Sequence, residues 1–298
     1  MFFAIVCALV LILKAQSATV IKGGIYFDAQ WTQEGSPYEL EKNAKIGPNT
    51  TVTMMPGAFL NGNGYKLSVV GNFLTRGTVD EPTEITDVNL TPGKGDVGVI
   101  DMQHTRFEAG SLFGQKFHKG YKASLQLRDS TLRDIPDIFL FFPKVDCHIE
   151  RNIFTATGGI SSGTTGAAVV VRNNVFYMQT SDFAVKNWHR KPLIVEDKNG
   201  GRPDVFAKDM VVEYNSFLCT DRVALRMDRQ YHDAEMRKAQ NNYFGTSDPS
   251  AIANMIFDKS DDIYVSERIK YEPYLSRPHP DTPITKFNMA WCAAPVEM

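Results

Sequence analysis

Lys186 and Trp188 in FAVKNWHR (183–190) and Arg226 and Asp228 in VALRMDRQ (223–230) stand at matched places in two similar stretches. Positions two apart on a strand share a face, so the four could line one outward surface. An aromatic face stacks on sugar rings, and lysine or arginine pairs with the carboxylates of an acidic polymer. Asp137, Asp182 and Arg222 stand just before stretches of this kind and could border the same surface. Two carboxylates about 5–10 Å apart would serve as acid and base in glycoside hydrolysis. A lyase would instead use carboxylates to hold Ca²⁺ and a cation to help remove a proton. On this reading Asp182, Asp228 and Arg226 are the catalytic candidates, and Asp137, Lys186, Trp188 and Arg222 bind substrate. No metal ligand is assigned, and Ca²⁺ enters only if the chemistry is a lyase's. The competing reading is that charges stand in columns on any solvent-facing sheet, as surface pairs of little energetic value.

These residues meet only if the chain repeats, and it does. RNIF (151–154) returns as NNVF (173–176). A polar residue two places before a large apolar one recurs at Thr105/Phe107, Ser130/Leu132, Asn152/Phe154, Asn174/Phe176, Asn215/Phe217 and Asn242/Phe244. The landmark spacings are 25, 22, 22, 41 and 27, the 41 being one coil enlarged by the insertion HRKPLIVEDKNGGRPD (189–204). A period in the low twenties marks a solenoid. Five places before each landmark stand Met102, Leu127, Ile149, Val171, Val212 and Ala239, and seven places before stand Ile100, Leu125, Cys147, Val169, Met210 and Arg237. Four places before, the residues are polar: Gln103, Arg128, Glu150, Arg172, Glu213 and Gln240. That alternation predicts strands with one buried face.

The expected fold is therefore all-β: a single-stranded right-handed parallel β-helix with rungs of about 22–27 residues and a short C-terminal capping helix. A β-sandwich is the competing architecture; leucine-rich repeats lack support because their leucine spacing is missing. The landmark aromatics should stack inward. The Thr/Ser/Asn column should form a hydrogen-bonded ladder at a corner, where asparagine also tolerates left-handed geometry. GTSDPSAIANMIFD predicts the cap, with Asp248 as N-cap, Pro249 at the first helical position, and Ile252, Met255 and Ile256 on one face. The sharpest turn signal is Asn-Gly-Asn-Gly at 61–64.

The ends of this repeat resemble a known family. NNYFGTSDPSAIANMIFDKSDDIYVSERIKYEPYLSRP (241–278) is similar to the closing segment of secreted right-handed parallel β-helix proteins of the pectin-lyase-like superfamily. GGIYFDAQWTQEGSPYELEKNAKIGPNTTVTMMPGAFL (23–60) looks like their opening segment. The resemblance implies the fold and a parallel sheet that presents a groove to an extended glycan. It does not imply one activity, since such proteins include polysaccharide lyases and hydrolases, phage tailspikes and adhesins. Arg268-Ile269-Lys270 matches a fragment of the polygalacturonase signature, but the Asn-Thr-Asp and Gly-His-Gly elements are absent, as is the Trp-Ile-Asp-His-type signature of pectate lyases.

Composition bounds the rest. The chain has 298 residues, 43% hydrophobic and 22% charged, with a net charge of -2, which excludes the basic excess of a nucleic-acid binder. Residues 1–17 read as a signal peptide: Phe2 to Leu13 is an apolar run too short to span a bilayer, and Ala15 and Ser17 suit cleavage before Ala18. Lys14 follows that run rather than preceding it, and an uncleaved anchor is the alternative. The domain then covers 18–278, with a tail at 279–298. Cys147, Cys219 and Cys292 form no disulfide framework and have no zinc spacing, so they are expected buried, unpaired and inert. The expected protein is secreted or extracytoplasmic, at a cell or virion surface among other places. Its partner is a polysaccharide or surface glycan rather than nucleic acid, and it keeps no stable membrane span once the signal is removed. The alternatives are a polysaccharide lyase or glycoside hydrolase acting on an acidic glycan, and a structural or adhesin-like module without catalysis.

Overall fold

Period-two alternation gives each short segment one apolar face, and the chain buries those faces by coiling around them. The computed structural model describes residues 17–93, 98–113, 123–141, 145–163, 167–177, 183–187, 210–218, 223–227, 239–265 and 268–283. There the regular structure is nearly all β, in parallel sheets stacked as a solenoid, with one short α-helix among the described residues. Successive strands visit three faces in rotation. The first face is a nine-stranded sheet running from Thr19–Ile21 to Ser216–Phe217. The second consists of two five-stranded stacks, Gly24–Ile25 to Ser111–Leu112 and then Ile138–Phe141 to Ile256–Phe257. The third has eight strands, from Ala29–Trp31 to Met210–Glu213.

The columns read from the sequence are columns in space. Met102, Leu127, Ile149, Val171 and Val212 pair in register up the third face, all fully buried. Phe107, Leu132, Phe154, Phe176 and Phe217 do the same on the first face. The rings of Phe154 and Phe176 stack at 4.8 Å, Phe176 and Phe217 at 5.2 Å, and Phe217 and Phe244 at 5.5 Å. Offset stacking of this kind adds to the large apolar area each ring removes from water. Outside the third face, the polar column runs Arg128, Glu150, Arg172, Glu213 in register, with alternating charge. Of its neighbours in that column only Arg172 and Glu213 come within 3.1 Å of each other.

At the corner from the third face to the first lies the ladder. The backbone N–H of Thr105 donates to Ser130 Oγ, that of Ser130 to Asn152 Oδ1, and that of Asn152 to Asn174 Oδ1, at 2.9–3.0 Å. Asn174 and Asn215 continue the series to Asn242. The side-chain amides of Asn152, Asn174, Asn215 and Asn242 donate in turn to the carbonyls of Leu127, Ile149, Val171 and Val212. One expectation is corrected here. The left-handed residues are not the ladder residues but those immediately before them: His104, Asp129, Arg151, Asn173, Tyr214 and Asn241, with φ between 47° and 60°. The ladder side chain must point inward to reach its neighbour, so the preceding residue absorbs the reversal of the chain.

The closing helix spans Pro249–Asn254, with the Asp248 side chain accepting from the Ser250 N–H at 3.0 Å and proline at its start. It is shorter than the sequence suggests. Met255 ends it, and Ile256 belongs to the last strand, paired with Leu225, rather than to the helix face. All three apolar residues are nonetheless buried in the core. The Asn-Gly-Asn-Gly turn is present, with Asn63 and Gly64 both left-handed and the Tyr65 N–H bonded to the Gly62 carbonyl. The signal-like residues 1–16 and the insertion 189–204 lie outside the described residues.

Candidate functional site

Of the residues picked out for chemistry, Lys186 and Arg226 lie on strands of the second face. Lys186 and Arg226 are neighbours in register, as their matched places imply. Below them Lys186 lies beside Ser161, while Phe141 pairs with Gly163. Lys186 stands ten residues after Phe176, whereas Ser161 stands seven after Phe154. The Arg226 guanidinium sits over the Phe257 ring, 4.5 Å from its centroid, and its buried Nε has no hydrogen-bond partner among the described residues. That cation is committed to packing on the last strand. Asp137 is committed as well: its Oδ1 accepts the Gly159 N–H at 2.9 Å, joining one coil to the next. Asp28 and Asp146 do the same at other corners, toward Thr51 and Ala168. Asp182, Trp188, Arg222 and Asp228 lie outside the described residues.

A concave site forms elsewhere, at the left-handed corner. His104, Asp129 and Arg151 stack there at one position of three successive coils, followed along the chain by the first-face residues Arg106, Thr131 and Ile153. Higher up the same corner, the returning C-terminal segment covers Asn173, Tyr214 and Asn241. The Asn241 N–H donates to the Pro273 carbonyl, and the Leu275 N–H to that of Asn242. Further along, His279 tilts against the Tyr214 ring at 4.6 Å, with its Nδ1 3.0 Å from Asn173 Nδ2, and Thr282 Oγ1 donates to the Tyr214 carbonyl. Nearer the base of the same corner, a groove of about 350 Å³ is lined by His104, Asp129 and Arg151 together with Thr78, Val79, Pro82, Asp281 and Pro283.

The groove's electrostatics are balanced. Arg151 grips Asp129 with two bonds, Nε to Oδ1 at 2.6 Å and Nη2 to Oδ2 at 2.8 Å. That bonding, with the attraction of Asp129, Glu150 and Asp281, holds the Arg151 pKa above its ordinary value against the opposing effect of burial. Arg106 pairs with Glu84 at 3.0 Å. A fixed arginine–carboxylate pair offers donors and acceptors side by side, and Ile153, Val79 and Pro283 add apolar surface. A few placed polar groups among apolar ones, at this volume, are what small-ligand sites are made of.

Sequence reasoning missed this site because it looked on strand faces. The signal was one place before each ladder residue, where His104, Asp129 and Arg151 are all polar. Among the described residues, no group of three or more His, Cys, Asp or Glu could hold a metal ion, and no helix is long and apolar enough to cross a membrane. Comparison with known protein families, with curated proteins and with solved structures finds no match to this chain.

Proposed function

We propose that this protein is an exported parallel β-helix of pectin-lyase-like type that binds carbohydrate, holding a short run of sugar units in the corner groove. The observation that carries the reading is the Arg151–Asp129 pair fixed on the groove floor beside Ile153 and Arg106. Sugar hydroxyls both donate and accept, so a guanidinium and a carboxylate held edge to edge satisfy adjacent hydroxyls, and the apolar wall receives the C–H face of the ring. Paired charges inside the groove favour an uncharged segment of glycan there. The export half of the reading rests on the apolar run Phe2–Leu13 and the small residues after it, and the pectin-lyase-like half on the opening and closing segments.

The test is a panel of neutral and acidic polysaccharides, with and without Ca²⁺, read by binding and by polymer size. The expected result is binding at millimolar concentration or better to at least one polymer, weakened about tenfold by Arg151→Ala. No binding to any of them overturns the reading. Shortening of a polymer would instead show an enzyme, and Asp182 and Asp228 would be the first residues to replace.

A further inference from the structure

A second built surface lies on the first coil, away from the groove. Tyr26 follows the strand Gly24–Ile25 and is 68% exposed, and Phe27 after it is 72% exposed. The posture of Tyr26 is fixed by two glycines. A Cβ added at Gly24 would come 2.3 Å from the Cε2 of Tyr26, and one added at Gly47 would come 2.5 Å from its Cδ1. The ring therefore lies flat on the backbone of two successive coils, one face down and the other open. The coils are joined beneath it, the Gly47 N–H donating to the Ile25 carbonyl at 2.8 Å. An aromatic ring oriented before a ligand arrives does not lose rotamer freedom when one binds.

The border of this platform is cationic. Lys45 is exposed and pairs in register with Gly24 on the next coil. The exposed Lys42 runs past Gly23, its Cε 3.4 Å from where a Cβ there would stand. Neither lysine makes an ion pair among the described residues, whereas Lys22 nearby is matched by Glu41 at 3.5 Å. A protein partner would call for a contiguous apolar patch. The flat Tyr26 ring, edged by unspent ammonium groups, suits a ligand the size of one ring, apolar on one face and anionic at its rim.

We propose that Tyr26, on its glycine bed with Lys42 and Lys45, is a separate carbohydrate subsite that stacks a sugar ring bearing a carboxylate or sulfate. The proposal rests on the carbohydrate reading above and assigns an anionic sugar class to this second place. Tyrosine presents both an apolar face and a hydroxyl, and the stack alone makes about a tenfold difference in affinity.

Calorimetric titration of the full chain with tetragalacturonate and with a heparin-derived tetrasaccharide tests it, the preferred probe telling carboxylate from sulfate. The three atoms nearest a Gly24 Cβ all belong to the Tyr26 ring, so Gly24→Ala lifts the ring without meeting backbone. Tyr26→Ala and Gly24→Ala should each weaken binding about tenfold, and Tyr26→Phe by about twofold at most. Equal binding by the first two variants overturns the proposal and leaves the groove reading standing, as does wild-type binding to neutral glycans only. Failure of the wild type to bind any glycan removes both. Sedimentation of the same variants covers the other occupant: a dimer that Tyr26→Ala converts to monomer makes Tyr26 an interface between copies and overturns the proposal.

Discussion

Asn174 and Asn215 meet at one oxygen: the Oδ1 of Asn215 accepts both the backbone N–H of Asn174, at 3.0 Å, and its side-chain amide, at 2.9 Å. The same amide of Asn174 also donates to the Ile149 carbonyl at 2.8 Å. One buried side chain thus ties three coils together, and each asparagine in the ladder depends on the next.

Asn174→Ala should accordingly cost about 3 kcal/mol, because the N–H of Asn152 loses its acceptor and the Ile149 carbonyl its donor inside the core. Asn174→Ser should cost less, since Ser130 holds the same place and still accepts the Thr105 N–H. Urea denaturation of the two variants checks the order, and equal stability would mean that the ladder carries no load.

Phe176→Ala should cost about 3–5 kcal/mol by opening a cavity between two stacked rings. Phe176→Leu should stay within about 1.5 kcal/mol, because the column already accepts Leu132 two coils below. The same denaturation series measures both.

Cys147 is fully buried and unpaired, and burial pushes its thiol up to about 11 from an ordinary 9.0. It should resist alkylation by iodoacetamide at pH 8 in the folded protein and react on unfolding, read by mass spectrometry of its peptide. The linkage has a definite sign: the raised value favours the fold fully below the ordinary thiol range. That contribution is lost as pH rises through about 11.

His279→Ala should loosen the end of the returning segment. The Tyr214 ring and Asn173 lose their partner, while the backbone bonds at Asn241 and Leu275 remain. Hydrogen exchange should quicken about tenfold at the Thr282 amide and hold at Leu275. Glycan affinity should fall with it, since Asp281 and Pro283 wall the groove.

The coil was legible because stacked rungs put like residues at like places. One alignment on Phe154 and Phe176 yields the buried columns, the asparagine ladder and the outward charges together. The corners were harder to read. A left-handed residue can be His104, Asp129, Arg151 or Tyr214, so no single residue type marks it. The pairing of Ser161 with Lys186 is irregular in the same way, since the distance from the landmark phenylalanine is seven residues in one coil and ten in the next. Long-range returns leave no period at all, which is why the contact of His279 with Tyr214 could not be inferred from spacing.

The 22-residue interval between Asn152 and Asn174 also makes this molecule divisible. Removing 153–174 joins Asn152 directly to Val175, and the junction reads Arg-Asn-Val-Phe, which joins the first half of RNIF (151–154) to the second half of NNVF (173–176). The landmark phenylalanine would keep its place, and the shaft would shorten by one strand spacing, about 4.8 Å. Length is thus an adjustable property of this architecture: whole turns can be excised or duplicated in a gene, and the ends would be carried nearer together or farther apart with their surfaces unchanged.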